Sequence, residues 1–227
     1  MFEALFSKYD RLVLFDTETT GLDFARDEII EFAAVVVEKQ KGNIVITQEY
    51  DQLISLSPGM VIPPEIERLT GITNQAVKER GISKTEVCRD IFQMFSGNTL
   101  LLAYNAHFDL SFLYYLLLRN GDPAVLKGKD KLDLLTVYKD RASYPHKLCN
   151  AIAHYGLQDK VVNSHRAVDD VIATVEVMKA MEEEKDDIMR YVNLFGYHPT
   201  YGLGSKPIGS VTYKPQPYDC PIPLYQQ

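Results

Sequence analysis

The chain has 227 residues and a hydrophobic fraction of 46%, enough for one large core with or without an appendage. Its formal net charge of -7 is the wrong sign for gripping nucleic acid by bulk electrostatics, although acids gathered around divalent ions would be neutralised locally. No apolar run is long enough to span a membrane and the N-terminus has no basic-then-apolar leader, so a cytoplasmic protein without membrane attachment is expected. Three scattered cysteines, Cys88, Cys149 and Cys220, read as small buried thiols in a reducing compartment rather than a disulfide framework or zinc cluster.

Residues 11–16 read as a buried strand. A second strand covers 29–38, a hairpin turn 39–43, and a third, alternating strand 44–54. The stretch 57–64 breaks regular structure, and 65–73 gives a short helix and turn. Spacing of Val87, Ile91, Phe92 and Phe95 predicts a helix over 84–96. A fourth strand at 99–104 leads to an apolar helix over 108–119, with Asn105 placed to cap it. Residues 131–140 read as a short strand or helix, 147–156 as a helix stopped by glycine, and 166–184 as a long amphipathic helix.

Three strands, a helical stretch, a fourth strand and further helices predict an α/β fold. The first three strands form an antiparallel meander and the fourth returns parallel to the first. Beyond about residue 195 the chain turns rich in Pro, Gly and Tyr, which excludes a long helix or a central strand. We expect a main domain over 1–185, then a short helix and an irregular C-terminal arm over 186–227 that wraps the domain or docks on a partner. The stretch 127–147 holds Lys127, Lys129, Lys131, Lys139, Arg141 and Lys147 against Asp130, Asp133 and Asp140. It reads either as a solvated loop or as a patch that steers phosphates.

The chemistry starts at "LVLFDTETTGLD", residues 12–23, where a buried strand runs into two acids. Burying charge is costly unless it is paired or binds metal. Residues i and i+2 of a strand share a face, so Asp16 and Glu18 project together, and carboxylates are the ligands of Mg²⁺ and Mn²⁺. Thr19, Thr20 and Gly21 end the strand and open the backbone to a ligand. A second acid, Asp109, sits in the early turns of the helix after strand four, whose C-terminal end should lie near Asp16. A third group is "SHRAVDD", residues 164–170. On a continuous helix His165 would share a face with Asp169; if His165 precedes the helix, Asp170 can be the ligand instead.

Taken together, D-x-E-x-T-G, N-A-x-F-D and H-x4-D, in this order, resemble the DEDDh 3'-5' exonucleases over roughly residues 10–182. That family includes the proofreading epsilon subunit and the PolC-type exonuclease segment of bacterial DNA polymerase III, and "LTGIT" (69–73) is typical of the PolC-like branch. The resemblance implies a ribonuclease H-like mixed five-stranded sheet flanked by helices. It implies Asp16, Glu18, Asp109 and Asp170 as ligands of two divalent cations, Mg²⁺ or Mn²⁺. It makes His165 the general base, and it selects Asp170 over Asp169. Thr19, Thr20, Gly21 and Asn105 are the candidates for holding the terminal nucleotide. Many relatives carry His where this chain has Tyr104, a position outside the five core residues; His107 reads as packing or surface. The expected substrate is single-stranded or frayed DNA, with RNA as the alternative and an idle adaptor as the rival of another class. A polymerase or other protein could dock on the arm.

Overall fold

The computed structural model describes residues 2–204 and 206–227. A short helix α1 (Glu3–Phe6) precedes β1 (Arg11–Thr19), β2 (Ile29–Gln40) and β3 (Asn43–Leu53). Helices α2 (Pro64–Thr70), α3 (Asn74–Arg80) and α4 (Lys84–Phe95) lead to β4 (Thr99–Ala103). Then come α5 (Ala106–Asn120), β5 (Asp130–Asp133), α6 (Leu134–Lys139), α7 (Leu148–His154) and α8 (Ala167–Glu184). The main sheet has the order β3-β2-β1-β4-β5. The β1–β2 and β2–β3 pairs are antiparallel, and β4 lies parallel to β1 and to β5. This is the mixed five-stranded sheet that the resemblance implies, with the first four strands as the sequence pattern predicts and β5 as the fifth. Lys41 (φ 49) and Gly42 (φ 85) both adopt the left-handed backbone that a two-residue hairpin turn requires.

Strand alternation divides the core in two. Leu12, Leu14, Ala33, Val35, Leu100 and Leu102 pack with Val171, Val175 and Met178 of α8. Val13, Phe15, Phe32, Ala34 and Leu101 pack on the opposite face with Val87 and Ile91 of α4 and Leu110, Leu113 and Leu117 of α5. In α4 the buried positions are Val87, Cys88, Ile91, Met94 and Phe95, whereas Phe92 is exposed. Phe92 lies five residues after Val87, which turns it off the core face.

The cap of α5 is another correction. Asn105 makes no side-chain cap bond and takes a left-handed backbone (φ 69). The capping acceptor is Asp133 instead, at the end of the neighbouring parallel strand. Its Oδ1 accepts from the N–H groups of Asn105 (2.9 Å), Ala106 (3.1 Å) and Leu135 (3.2 Å), and its Oδ2 from the Thr136 hydroxyl (2.7 Å). One buried carboxylate thus satisfies the first turns of α5 and α6 and suits the positive end of both helices.

Three of the six cations in residues 127–147 are engaged within the protein. Lys131 is buried, with its ammonium donating to Leu126 O, Lys129 O and Ser210 Oγ. Arg141 pairs with Asp187, and Lys129 donates to Gly97 O. All three cysteines are free thiols, but only Cys88 is buried; Cys149 is exposed and Cys220 half-buried. No helix among the described residues is long and apolar enough to cross a membrane.

After a short 3-10 turn (Ile188–Tyr191), β6 (Leu194–Tyr197) pairs in parallel with β7 (Thr212–Pro215). Phe195 joins the second core. Gln216 donates to Thr136 O (2.9 Å) and Asp140 Oδ1 (2.7 Å), and the Leu224 N–H donates to Asp140 Oδ2 (2.6 Å).

Asp133→Ala leaves three N–H donors without their acceptor and is expected to destabilise the protein by roughly 2–4 kcal/mol in denaturant unfolding. Asp133→Asn keeps an acceptor oxygen and should cost about half as much. Equal stability of the alanine variant and the parent would show that the cap is dispensable.

Candidate active site

The parity of β1 decides which helix meets which acid. Asp16 and Glu18 continue the row of Leu12 and Leu14, so they face α8. Asp170, in the first turn of α8, arrives on that face, and Asp16, Glu18 and Asp170 each place a carboxylate oxygen within 4.8 Å of the other two. Thr17 continues the row of Val13 and Phe15 and faces α5. There the Asp109 Oδ1 accepts from the Thr17 N–H (3.0 Å) and hydroxyl (2.7 Å). Asp109 is 2% exposed and reaches the site from the other side of the sheet, outside the three-oxygen cluster.

His165 lies two residues before α8 begins, in a left-handed backbone (φ 58), and is exposed. It is close enough to Asp170 to lower that acid's pKa against the larger effect of burial. Asp170 Oδ1 also accepts from Asn163 Nδ2 (2.6 Å). Asp169 is turned away and accepts from the Ser164 hydroxyl.

The turn after β1 is built on Asp27. The Thr20 N–H donates to Glu28 O (2.9 Å), its hydroxyl donates to Asp27 Oδ1 (3.2 Å), and the Thr19 hydroxyl donates to Gly21 O (2.6 Å). A Cβ on Gly21 would lie 2.3 Å from Asp27 Oδ2, so glycine is required for this close approach. Leu22, next in the chain, is 83% exposed. Asn105 is exposed at the start of α5. Tyr104 donates its hydroxyl to His146 O (2.8 Å), and His107 Nδ1 lies 2.7 Å from the Tyr213 hydroxyl.

Two residues that the motifs do not contain hold the α8 side together. Glu31 on β2 stands opposite Glu18 in the strand register and is fully buried. Its carboxylate accepts from the Arg166 guanidinium through Nε (2.8 Å) and Nη2, and from the Ala167 N–H (2.8 Å), the first residue of α8. An acid set inside the apolar run "IIEFAAVVV", residues 29–37, was the available signal.

Burial, reinforced by crowded negative charge, raises the acids. Partial burial, then the repulsion of Asp170, Glu31 and Asp109, pushes Glu18 up to about 8, with Arg166 opposing. Asp16 is pushed well above the carboxylate range by burial and then by Asp109, Glu18, Asp170 and Glu31. Burial raises Asp109 to about 7, against the two Thr17 bonds. Oxygen-only donors at close quarters, each costly to ionise without a counter-charge, fit hard divalent cations.

The chain matches the exonuclease family RNase_T over residues 13–178, well over half of its length. The chain belongs to this exonuclease family. It is 33% identical over 171 residues to the DNA polymerase III subunit epsilon of Treponema pallidum, a match covering 74% of each chain. It is 33% identical over 177 residues to the PolC-type DNA polymerase III of Caldanaerobacter subterraneus, covering 78% of this chain and 12% of that protein. The match to the 3'-5' exonuclease DinG of Bacillus subtilis is 40% over 112 residues, 49% of this chain and 11% of that one. The chain therefore spans only about an eighth of the PolC-type relatives it matches. Its fold is that of E. coli Exonuclease I, solved in complex with a dA16 oligonucleotide (TM-score 0.70, 23% identity, 80% of this chain and 42% of that chain). A zinc-bound form of that exonuclease with single-stranded DNA superposes equally well (TM-score 0.71, 23% identity, 80% and 42% coverage).

Carboxyls raised by folding hold more protons in the native state than in the unfolded chain, between the ordinary carboxylate range near 4 and about 8. Stability of the metal-free protein should therefore fall as pH rises through that window. In chelator, Tm should drop from about pH 5 to about pH 8, and Mn²⁺ should raise Tm more at the higher pH, where protons no longer compete. A Tm that climbs over this range in chelator would contradict the crowded site. Arg166→Ala leaves Glu31 buried without its cation. A loss of roughly 2–4 kcal/mol in denaturant unfolding is expected, moderated because water reaches the guanidinium side of the pair. Arg166→Ala combined with Glu31→Met should recover most of it.

Proposed function

We propose that this chain is a metal-dependent 3'-5' exonuclease that removes nucleoside 5'-monophosphates from the 3' end of single-stranded or frayed DNA. The observation that carries the proposal is the convergence of Asp16, Glu18 and Asp170 beneath the exposed His165 turn. Asp16, Glu18 and Asp170, with Asp109 across the strand, would hold two divalent cations, Mg²⁺ or Mn²⁺. Such cations supply charge stabilisation for an in-line phosphodiester displacement.

The protein's own residues do the rest. His165, on a turn open to solvent, accepts a proton from the attacking water through an imidazole nitrogen. The water oxygen bonds to phosphorus as the P–O3' bond breaks; the leaving 3'-oxygen takes a proton from solvent water, so the shortened strand keeps a 3'-hydroxyl and the released nucleotide a 5'-phosphate. Glu31 and Arg166 fix the entry to α8, and so the relative placement of His165 and Asp170. Thr17 orients Asp109. Leu22 offers an apolar surface beside the strand end on which the terminal base can rest, and the Asn105 amide faces solvent at the start of α5. Thr19, Thr20 and Gly21 contribute by shaping this turn around Asp27, because the Thr20 N–H and both threonine hydroxyls are already bonded within it.

DNA is preferred over RNA because relatives at 33% identity are DNA polymerase III subunits. Proofreading would couple this site to a polymerase, in the same polypeptide or in a partner; repair or degradation of DNA would not. The test uses matched 5'-labelled single-stranded DNA and RNA with Mg²⁺, Mn²⁺ or chelator. A metal-dependent ladder shortening from the 3' end is expected, faster on DNA. Asp16→Asn should lower kcat by at least about 1,000-fold and His165→Ala by about 100-fold or more. Full activity in chelator, or near-parental turnover by Asp16→Asn, would overturn the proposal.

A further inference from the structure

The segment after β6 leaves aromatic rings on the surface, and they are not scattered. Tyr201 and His198 lie 4.8 Å apart between ring centroids, His198 and Tyr218 4.4 Å, and Tyr218 and Tyr144 4.7 Å. The planes of successive rings differ by 34°, 46° and 37°, so the four form one continuous tilted row. Tyr201 is 74% exposed, Tyr144 61% and Tyr218 37%. Exposed apolar area of this kind, contributed by two distant parts of the chain, marks an interaction surface.

Two observations say what binds there. The first is position. His146 packs against Tyr144 (5.8 Å) and Tyr218 (5.5 Å), and its carbonyl accepts the Tyr104 hydroxyl. Tyr104 immediately precedes Asn105 and the helix that carries Asp109, so the row continues outward from the start of α5. The second is charge. Residues 196–227 carry Lys206 and Lys214 against Asp219, in a chain whose net charge is -7. An acidic protein that takes up a polyanion needs an attachment that does not depend on net charge. Base stacking on aromatic rings is such an attachment: it is worth about 1–3 kcal/mol per base and tolerates any sequence. A protein partner would call for an apolar anchor in a desolvated pocket, whereas this row is open, polar-tipped and strip-like.

We propose that Tyr201, His198, Tyr218 and Tyr144 form a stacking platform for the bases of a single-stranded nucleic acid whose 3' end lies in the carboxylate site. The inference rests on the exonuclease function above and gives the C-terminal segment a part in it: holding the strand between cleavage events. A dinucleotide is too short to use the platform; a longer strand depends on it.

The experiment has two readouts. Fluorescence anisotropy measures binding of a labelled DNA of about 12 nucleotides, with Ca²⁺ in place of Mg²⁺. Hydrolysis of a thymidine dinucleotide with Mn²⁺ measures the site alone. The double variant Tyr144→Ala/Tyr201→Ala should raise Kd about 10-fold or more, and Tyr144→Phe/Tyr201→Phe should stay within about 2-fold of the parent. Dinucleotide turnover should be the same in all three. An unchanged Kd in the alanine variant overturns the platform, which is also the result expected if the row docks on a protein. Dinucleotide turnover that falls in step with oligonucleotide binding overturns it too, because the rings would then act on the site itself. If the parent hydrolyses neither the dinucleotide nor the longer DNA with Mn²⁺, while the alanine variant still loses strand binding, the exonuclease function fails and the platform stands.

Discussion

The two-residue period of a β-strand is the constraint on which this site depends. At the end of β1 it sends Asp16 and Glu18 to one face of the sheet and Thr17 to the other. Two helices that pack on opposite faces, α8 and α5, can then each deliver an acid to the same strand end. Asp170 comes to the first face, and Asp109 comes to the second and is fastened by Thr17. A slip of one residue between β1 and β2 would exchange the faces, burying Thr17 where the carboxylates meet. Pairing of β1 with β2 on one side and β4 on the other guards against it.

Alternation also explains where the repulsion gathers. Glu31 falls on the same face as Glu18 because the two stand opposite in the register, and Asp51 on β3 lies beside it. The guanidinium of Arg166 opposes this repulsion at Glu18. That single charge is not placed at the centre of the cluster. It sits at its edge, bonded to the one carboxylate that is fully buried, and leaves Asp16, Glu18 and Asp170 underneutralised. A site arranged this way is less stable empty and more avid for cations, which is the trade a metal-binding site makes.

Alternating and apolar runs in the sequence were enough to find the first four strands and their antiparallel and parallel order, because burial on one or two faces leaves a direct trace in residue type; the short β5, β6 and β7 left no such trace. The acids of the site were legible for the same reason: Asp16, Glu18 and Asp109 interrupt apolar segments. What was not legible came from long-range contacts. Asn105 has the right chemistry for a cap, but it takes a left-handed backbone and Asp133 on the adjacent strand accepts from the N–H groups instead. Phe92 looked like core because apolar character was counted without its angle around the helix. Lys131 stood in a basic stretch, yet the carbonyls of Leu126 and Lys129 and the Ser210 hydroxyl oxygen make a buried ammonium tolerable. Glu31 carried the same signal as Asp16, an acid inside an apolar strand, but no motif pointed to it.

Proline and glycine exclude the C-terminal segment from the main sheet, and that exclusion gives it a different use. It is fixed at separated points: Phe195 in the core, Gln216 on Thr136 and Asp140, Leu224 on Asp140. Between such anchors the chain forms only the short β6–β7 pair and has no long helix face or strand pleat to hold its side chains. Its tyrosines either pack onto the domain, as Tyr213 does against His107, or stand out in a row, as Tyr201 and Tyr218 do. The first arrangement ties the segment to the helix that carries Asp109; the second exposes rings beside it. A segment that were only a structural strap would need the first alone, so the exposed row is the part of the arm that calls for a ligand.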